Sequence, residues 1–295
     1  MIKKIILASL CCLLLTLPLL YWLNRIAAFP RPEPVQTLTR YVRFLYARDF
    51  RQAYRFISAE DRRLKKSDDY VRERQPFTGF ALDVARKLAG LIEVRPLSST
   101  TDDQHNRLRV AMKLPDANSV APLLHDWDDK RLNTLSATER KNILATIDAW
   151  ASAKKLPMIE GEENFVMVKE GSKWKVFLDW AAGAQVQFAA TLPAGNEISA
   201  APTTKETVAR SGDTFTIGFK VANPTTKEIV TRIVHRVEPK ELAPYLDLVE
   251  CALLLPVRVR PGEEQLFNST YLVRGDLPDG AKTLKVTYEF KVESN

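Results

Sequence analysis

The alternation of hydrophobic and polar positions divides the chain into three parts. Residues 5–23 form an unbroken apolar run. Residues 35–57 place apolar side chains three and four positions apart, which is typical of an amphipathic helix. Beyond residue 205, short stretches alternate apolar and polar residues with the period of strands. The pattern predicts an N-terminal transmembrane helix, then an α+β domain, then an all-β domain.

The apolar run is about nineteen residues long, which is enough to cross the hydrocarbon core of a bilayer. Lys3 and Lys4 precede it and favour a cytoplasmic N-terminus. We therefore expect residues 5–23 to bind the lipid bilayer as a single pass through the inner (plasma) membrane, with the bulk of the chain periplasmic. A cleavable signal peptide is the alternative, with Ile26-Ala27-Ala28 as its candidate cleavage site.

Composition shifts give the expected domain boundaries. Three prolines between Phe29 and Pro34 predict a stiff, extended spacer. Residues 182–204 are rich in Ala, Gly, Pro and Thr. Apart from a strand-like piece at 185–188, they are predicted to form a linker. The expected order is an anchor at 1–28, the spacer at 29–34, an α+β domain at 35–181, the linker at 182–204 and a β domain at 205–295.

Local signals predict the elements of the α+β domain. Ser58-Ala-Glu-Asp61 and Ser136-Ala-Thr-Glu139 read as helix starts, and the second is a capping box. Leu108 to Lys113 alternates like a half-buried strand. The remaining predictions are a helix at 83–92 and a hairpin at 165–179 with its turn at 170–172.

Two blocks of this domain, Phe44-Leu-Tyr-Ala-Arg-Asp-Phe-Arg-Gln-Ala-Tyr54 and Val168-Lys-Glu-Gly-Ser-Lys-Trp-Lys-Val176, resemble the nuclear-transport-factor-2-like family. The resemblance covers about residues 35–180 and implies a cone-shaped fold with a pocket. A catalytic pocket would need an acid or a base, and His125-Asp126-Trp127-Asp128-Asp129 is the local candidate. The same stretch also reads as a polar loop with helix-capping acids, and the sequence does not place His105 beside it. We predict that the protein is not an enzyme.

Short strands separated by Pro and Gly turns predict an immunoglobulin-like β-sandwich for the C-terminal domain. Its ordered blocks are Phe219–Val230, Val237–Pro239 with Tyr245, Glu250–Leu254, Pro261–Glu263 and Leu284–Phe290. In this order they resemble the CtaG family of copper chaperones for cytochrome c oxidase assembly. The resemblance implies a membrane-anchored periplasmic factor that handles Cu(I).

The chain departs from that family where the copper chemistry lies. Cys251 stands at the first cysteine of the family's Cys-Phe-Cys-Phe motif, and Leu253 stands at the second. Cu(I) takes two or three sulfur ligands, so we predict Cys251 as a metal residue that needs a further ligand, such as a second copy's thiol in a homodimer. A buried structural thiol and an intermolecular disulfide are the alternatives.

Other candidate ligands are less well placed. Cys11 and Cys12 lie inside the apolar run, and three cysteines do not make a disulfide framework. His235 lies on a neighbouring predicted strand, where a lone histidine reads as a surface or packing residue.

The formal net charge of +7 is unevenly distributed. Residues 200–295 hold 13 basic and 13 acidic residues, so the excess lies before them and concentrates at 40–95. Such a surface could face anionic lipid or nucleic acid, but acids are interspersed there, which is typical of a solvated helix face. We predict no nucleic-acid binding.

Two functions remain from the sequence. The first is an accessory factor in copper delivery to, or assembly of, cytochrome c oxidase or a related copper enzyme, with a subunit of that enzyme as partner. The second is an envelope interaction protein whose β-sandwich is a docking module that has lost copper binding.

Overall fold

The computed structural model describes residues 33–102, 104–195, 198–275, 277–278 and 283–294. The predicted membrane segment, the proline-rich spacer, Cys11 and Cys12 lie outside these ranges. Within them, no helix has both the length and the apolar character needed to cross a membrane.

The helices of the described chain are concentrated in its first half. They are α1 Glu33–Tyr46, α2 Phe50–Tyr54, α3 Ala59–Leu64, α4 Ser67–Arg72, α5 Gly79–Ala89, α6 Ala117–Val120, α7 Asp129–Thr134 and α8 Ala137–Ser152. Short 3₁₀ segments follow at Ala121–Trp127, Trp180–Ala182, Lys240–Tyr245 and Ala252–Leu254.

The strands begin after α5 and dominate the second half. They are β1 Glu93–Thr101, β2 His105–Pro115, β3 Met158–Glu170, β4 Lys173–Phe177, β5 Ala184–Thr191, β6 Ser199–Pro202, β7 Glu206–Ala209, β8 Thr214–Ala222, β9 Ile229–Glu238, β10 Leu246–Cys251, β11 Val257–Val259, β12 Glu264–Val273 and β13 Thr283–Ser294.

The first half packs its helices on an antiparallel sheet of order β1-β2-β3-β4. Leu38 on α1, Val94 on β1 and Val176 on β4 are almost completely buried in the core between them. Residues 117–156 add a second core on α5, where Leu124 and Ile147 are fully buried. The resemblance of this half to the cone-shaped nuclear-transport-factor-2-like family remains a prediction.

The N-terminal helical pattern of residues 35–57 divides into two helices at Arg48 and Asp49. Arg48 has a φ of 52°, a conformation that ends the right-handed helix α1. The Asp49 side chain then accepts from the Gln52 amide and starts α2. The predicted caps at Ser58 and Ser136 are confirmed, and Ser136 forms a reciprocal capping box with Glu139.

The second half is β-rich and contains two sheets, of order β10-β12-β8-β6 and β11-β9-β13-β5-β7. Side chains of both sheets share one apolar core, which includes Phe219 on β8, Ile233 on β9, Tyr271 on β12 and Tyr288 on β13. Alternation along each strand places one row of side chains in this core and leaves the other row outside. The two sheets therefore stabilise each other by burying their facing sides.

The segment predicted as a linker contains two strands of this β-rich half. β5 pairs in parallel with β13, and β6 pairs with β8. Val186 and Phe188 on β5 are buried in the shared core, which explains why β5 forms. The strand-like piece predicted at 185–188 is the centre of β5. Neighbouring Ala, Gly and Pro residues hid the length of the strand.

Candidate metal-binding site at Cys251

Cys251 is the last residue of β10, at the point where the strand turns into the 3₁₀ segment Ala252–Leu254. It pairs with Ser269 on β12, which fixes its position relative to the sheet. Its side chain is half-buried, and it is a free cysteine. The residue therefore lies at a sheet end and is partly exposed to solvent.

Two hydroxyl groups donate hydrogen bonds to the Cys251 sulfur. The Ser269 Oγ atom lies 3.3 Å from Sγ, and the Tyr288 hydroxyl lies 3.7 Å from it. The hydroxyls of Tyr271 and Tyr288 are 2.8 Å apart. Because each hydroxyl has one hydrogen and Tyr288 uses its own on sulfur, Tyr271 must donate to Tyr288. The result is a directed chain from Tyr271 through Tyr288 to Cys251.

Burial keeps the tyrosine hydroxyls of this hydrogen-bonded series protonated. Desolvation raises the pKa of Tyr271 and the pKa of Tyr288 far above their usual value of 10.0. Both hydroxyls are therefore donors throughout the physiological range. Two neutral donors, the hydroxyls of Ser269 and Tyr288, are therefore directed at the Cys251 sulfur.

His235 lies beside the tyrosines on the core side of β9. Its ring centroid is 5.8 Å from that of Tyr271 and 5.6 Å from that of Tyr288. Burial lowers the His235 pKa from its usual 6.5, and Nε2 is buried without a hydrogen-bond partner. A neutral imidazole packed on two rings fits the packing role predicted from the sequence better than the role of a surface residue.

Leu253, at the second motif position, is a core residue. Its side chain is completely buried in the cluster shared by the two sheets, and Cys251 packs against the same cluster. Positions 251 and 253 thus face the same side of the chain. The leucine fills space that a second thiol would otherwise occupy, so this departure from the motif contributes to packing.

The donor set of one protein copy is incomplete for copper. Across the part of the chain that the structure describes, no group of three or more His, Cys, Asp and Glu residues could hold a metal ion. Cys251 supplies one soft ligand, and the neighbouring hydroxyls are hard donors that Cu(I) disfavours. Cys251 is the one thiol among the described residues, so a two-sulfur site would need a second thiol from beyond them or from another copy.

An exposed apolar surface flanks the thiol. Val249 before it is 63% exposed, and Leu254 and Leu255 after it are 47% and 71% exposed. Large side chains left in water beside a reactive group favour contact with another macromolecule. Sequence reasoning missed this surface, because an apolar run before a turn reads as buried.

The other predicted candidates have local structural roles. Asp128 caps α7 by accepting from the Arg131 amide, and Asp129 accepts from the Thr78 hydroxyl at 2.9 Å. This agrees with the capping interpretation of residues 125–129. His105 contacts Asp102, with 3.5 Å between Nδ1 and the carboxylate, and its ring packs on Phe177.

The C-terminal part of the chain is defined by two sheets around a common core, with one half-buried thiol at a sheet end. Residues 158–291 match the model of the family described as cytochrome c oxidase assembly protein CtaG/Cox11. The resemblance of this domain to that family, predicted from the sequence, is confirmed. The match begins with β3 and does not cover the residues before it, so the nuclear-transport-factor-2-like resemblance stays a prediction.

Comparisons with whole proteins add little. No curated protein matches the chain significantly. One solved structure, the Mu homology domain of Fcho1 from Danio rerio with bound Eps15 peptide, aligns over 68% of this chain and 93% of its own. The aligned residues are 7% identical and the TM-score is 0.12, too low to support any argument about the fold.

Proposed function

We propose that this protein is a membrane-anchored accessory factor in copper delivery to, or assembly of, cytochrome c oxidase or a related copper enzyme. The observation that carries the proposal is the position of Cys251. It lies within the residues that match the CtaG/Cox11 family and occupies the first cysteine position of the predicted copper motif. In this role the protein binds and transfers an ion and catalyses no reaction.

The proposed setting is the periplasmic face of the inner membrane. Residues 5–23 would anchor the chain as a single pass, and Lys3 and Lys4 would keep the N-terminus in the cytoplasm. The α+β domain would adopt the cone-shaped fold, and the two sheets after it an immunoglobulin-like sandwich. The shared core of the sheets supports the sandwich.

Cu(I) is the proposed cargo, and Cys251 its ligand in this chain. The hydrogen bonds from Ser269 and Tyr288 support the role, since they fix the position of the sulfur. The second sulfur would come from Cys251 of another copy in a homodimer, or from the copper-enzyme subunit that receives the ion. The exposed side chains of Leu254 and Leu255 beside the thiol supply a surface for either partner.

A Cu(I) titration tests the metal role. The reduced full-length protein is titrated anaerobically against a chromophoric Cu(I) chelator, beside two variants. Cys251→Ser should lose the competing site, and the double variant Cys11→Ser/Cys12→Ser should keep it, because its remaining thiol is Cys251. Equal binding by the wild type and Cys251→Ser would exclude Cys251 as the ligand.

The oligomeric state separates the two sources of the second sulfur. Sedimentation of the solubilised protein should show a Cu(I)-dependent dimer if two copies share the ion. A monomer that binds Cu(I) only when the client subunit is added would instead identify the client as the second donor.

The second candidate function is a docking module that has lost copper. Complete burial of Leu253 at the second motif position favours it, because the site is repacked as core. In that case Cys251→Ser would leave both Cu(I) binding and partner capture unchanged. Affinity purification from solubilised membranes should still recover a stable envelope partner, and its loss in Leu255→Asp would locate the docking surface. Recovery of no partner would contradict this function.

A further inference from the structure

A cleft of about 390 Å³ lies where the helical half meets the β-rich half. Its floor is the outer face of the sheet that contains β8, β10 and β12, including Thr216, Glu250 and Thr270. Its wall comes from the helical half and includes Arg48, Glu73 and Arg74. Cys251 does not line the cleft, so a ligand bound there would be independent of the copper function.

Hydrogen bonds hold the wall on the floor. The Thr216 amide donates to the Glu73 carbonyl oxygen at 2.7 Å. Within the floor, the Thr216 and Thr270 hydroxyls are 3.1 Å apart. The Arg72 Nε atom also donates to the Thr204 hydroxyl at 3.0 Å. The cleft is thus bounded by main chain and side chains that fix one another.

Glu73 lines the cleft with one unsatisfied carboxylate oxygen. Its side chain is 1% exposed, and one carboxylate oxygen accepts from Lys65 Nζ at 2.8 Å. The other oxygen, Oε1, is buried without a hydrogen-bond partner. A buried carboxylate oxygen in that state favours a ligand that can donate a hydrogen bond.

Two arginines in the same cleft are held by aromatic rings. The Arg74 guanidinium lies 4.1 Å from the Tyr70 ring centroid, and that of Arg48 lies 4.7 Å from the Phe77 ring centroid. Arg74 Nη1 is buried without a hydrogen-bond partner. Stacking fixes the planes of the two guanidinium groups and leaves their N–H edges for a planar anion, which is the geometry that binds carboxylates.

We propose that this cleft binds a carboxylate compound that also carries an N–H donor, either an N-acylated amino acid or the carboxyl terminus of a peptide. Arg74 and Arg48 hold the carboxylate, and the unpaired oxygen of Glu73 accepts from the N–H group. Glu250, across the cleft, is a second acceptor for a longer ligand. The volume suits a compound of one or two residues, at the lower end of protein ligand sites.

Ligand-observed saturation-transfer NMR on the full-length protein tests the site. Four compounds are compared: N-acetylalanine, a three-residue Gly-Ala-Ala peptide with a free carboxyl terminus, and the C-terminal amide of each. We expect saturable binding of both free carboxylates and binding of both amides about tenfold weaker, because the amides lose the charge-assisted pair. If Gly-Ala-Ala binds more tightly than N-acetylalanine, the ligand is a peptide terminus. If the two bind equally, the residues before the terminal one add no contact, and the ligand is the small compound.

Matched variants make the test specific. Arg74→Gln should weaken carboxylate binding about tenfold, and Arg48→Gln should weaken it too, while Arg63→Gln, an exposed arginine on α3, should not. Circular dichroism confirms that each variant is folded. Absence of saturable binding for both carboxylates, equal binding of the amides, or an unchanged affinity in both cleft variants would overturn the proposal.

Discussion

The hydroxyl of Tyr288 donates to the sulfur of Cys251 across 3.7 Å, although the two residues are 37 positions apart in sequence. Tyr288 is on β13 and Cys251 on β10, which belong to different sheets. This contact connects the two sheets at the candidate metal site.

Removing the hydroxyl of Tyr288 should make the thiol less reactive. In Tyr288→Phe, Cys251 keeps only the Ser269 donor, and Tyr271 loses its acceptor. We expect iodoacetamide to alkylate Cys251 several-fold more slowly at neutral pH, since the sulfur loses a hydrogen-bond donor that fixes its position. The rate is measured in the Cys11→Ser/Cys12→Ser background, and Tyr245→Phe, in the same domain, is the control. A faster or unchanged rate would show that the hydrogen bond from Tyr288 does not promote the reaction of the thiol.

Restoring the second motif cysteine should increase copper affinity at the expense of stability. Leu253→Cys places a thiol on the same side of the chain as Cys251, and Cu(I) can then bind two sulfurs. The smaller side chain leaves a cavity in the core, so the free energy of unfolding should fall by about 2 kcal/mol. Chelator competition and urea unfolding measure the two effects.

Leu255→Cys is the matched control for that variant. Leu255 is 71% exposed, so its replacement should leave stability almost unchanged. A gain in Cu(I) affinity as large as that of Leu253→Cys would mean that any added thiol suffices and that the motif spacing is irrelevant.

Removing one partner of the buried Lys65–Glu73 ion pair should destabilise the protein more than removing both partners. The side chains are 2% and 1% exposed, and removal of one partner leaves a buried charge alone. Lys65→Met should therefore lower the free energy of unfolding by about 3–5 kcal/mol. Lys65→Met/Glu73→Leu should recover most of the loss, and Lys66→Met, an exposed neighbour, should change little. Urea unfolding measures the free energy of unfolding of each variant. If the double variant loses at least as much stability as Lys65→Met, the two side chains are not coupled.

His235 should make stability fall on acidification. Because burial lowers its pKa below 6.5, the unfolded chain binds a proton before the folded chain does. The unfolded state is then favoured as the pH falls from 6.5 towards the folded-state pKa, by at most about 1.4 kcal/mol for each pH unit. Above pH 6.5 His235 is neutral in both states, and its contribution to the free energy of unfolding is fully present. Thermal unfolding across this pH range measures the effect.

His235→Phe should remove this component of the pH dependence, since a phenyl ring can still pack on Tyr271 and Tyr288. His105→Gln, at the start of β2, is the control and should retain it. If stability falls with decreasing pH as steeply in His235→Phe as in the wild type, other groups cause the acid sensitivity.

Local patterns predicted the elements better than the contacts between them. The capping box at Ser136 and the alternation at Leu108–Lys113 depend on nearby residues and are confirmed. β1 was missed because Pro96 and the polar residues after it do not alternate clearly. β5 is held by its pairing with β13, about a hundred positions later in the chain. No local pattern contains that pairing.

The site was predictable to the level of one residue. The position of Cys251 follows from its place among the ordered blocks, but the hydroxyl chain from Tyr271 does not, because strand register decides which side chains meet. Similarly, the cleft joins Arg74 to Thr216, which come from different halves of the chain. Contacts of this kind require the tertiary structure.

The position of β13 determines when the thiol acquires its protection during folding. β13 lies between β9 and β5 in the middle of its sheet, although it is the last of the described strands in sequence. Until it inserts, β5 lacks its parallel partner and Cys251 lacks the Tyr288 hydroxyl. The Cys251 thiol therefore gains its contact with the opposite sheet only when the last described strand is in place.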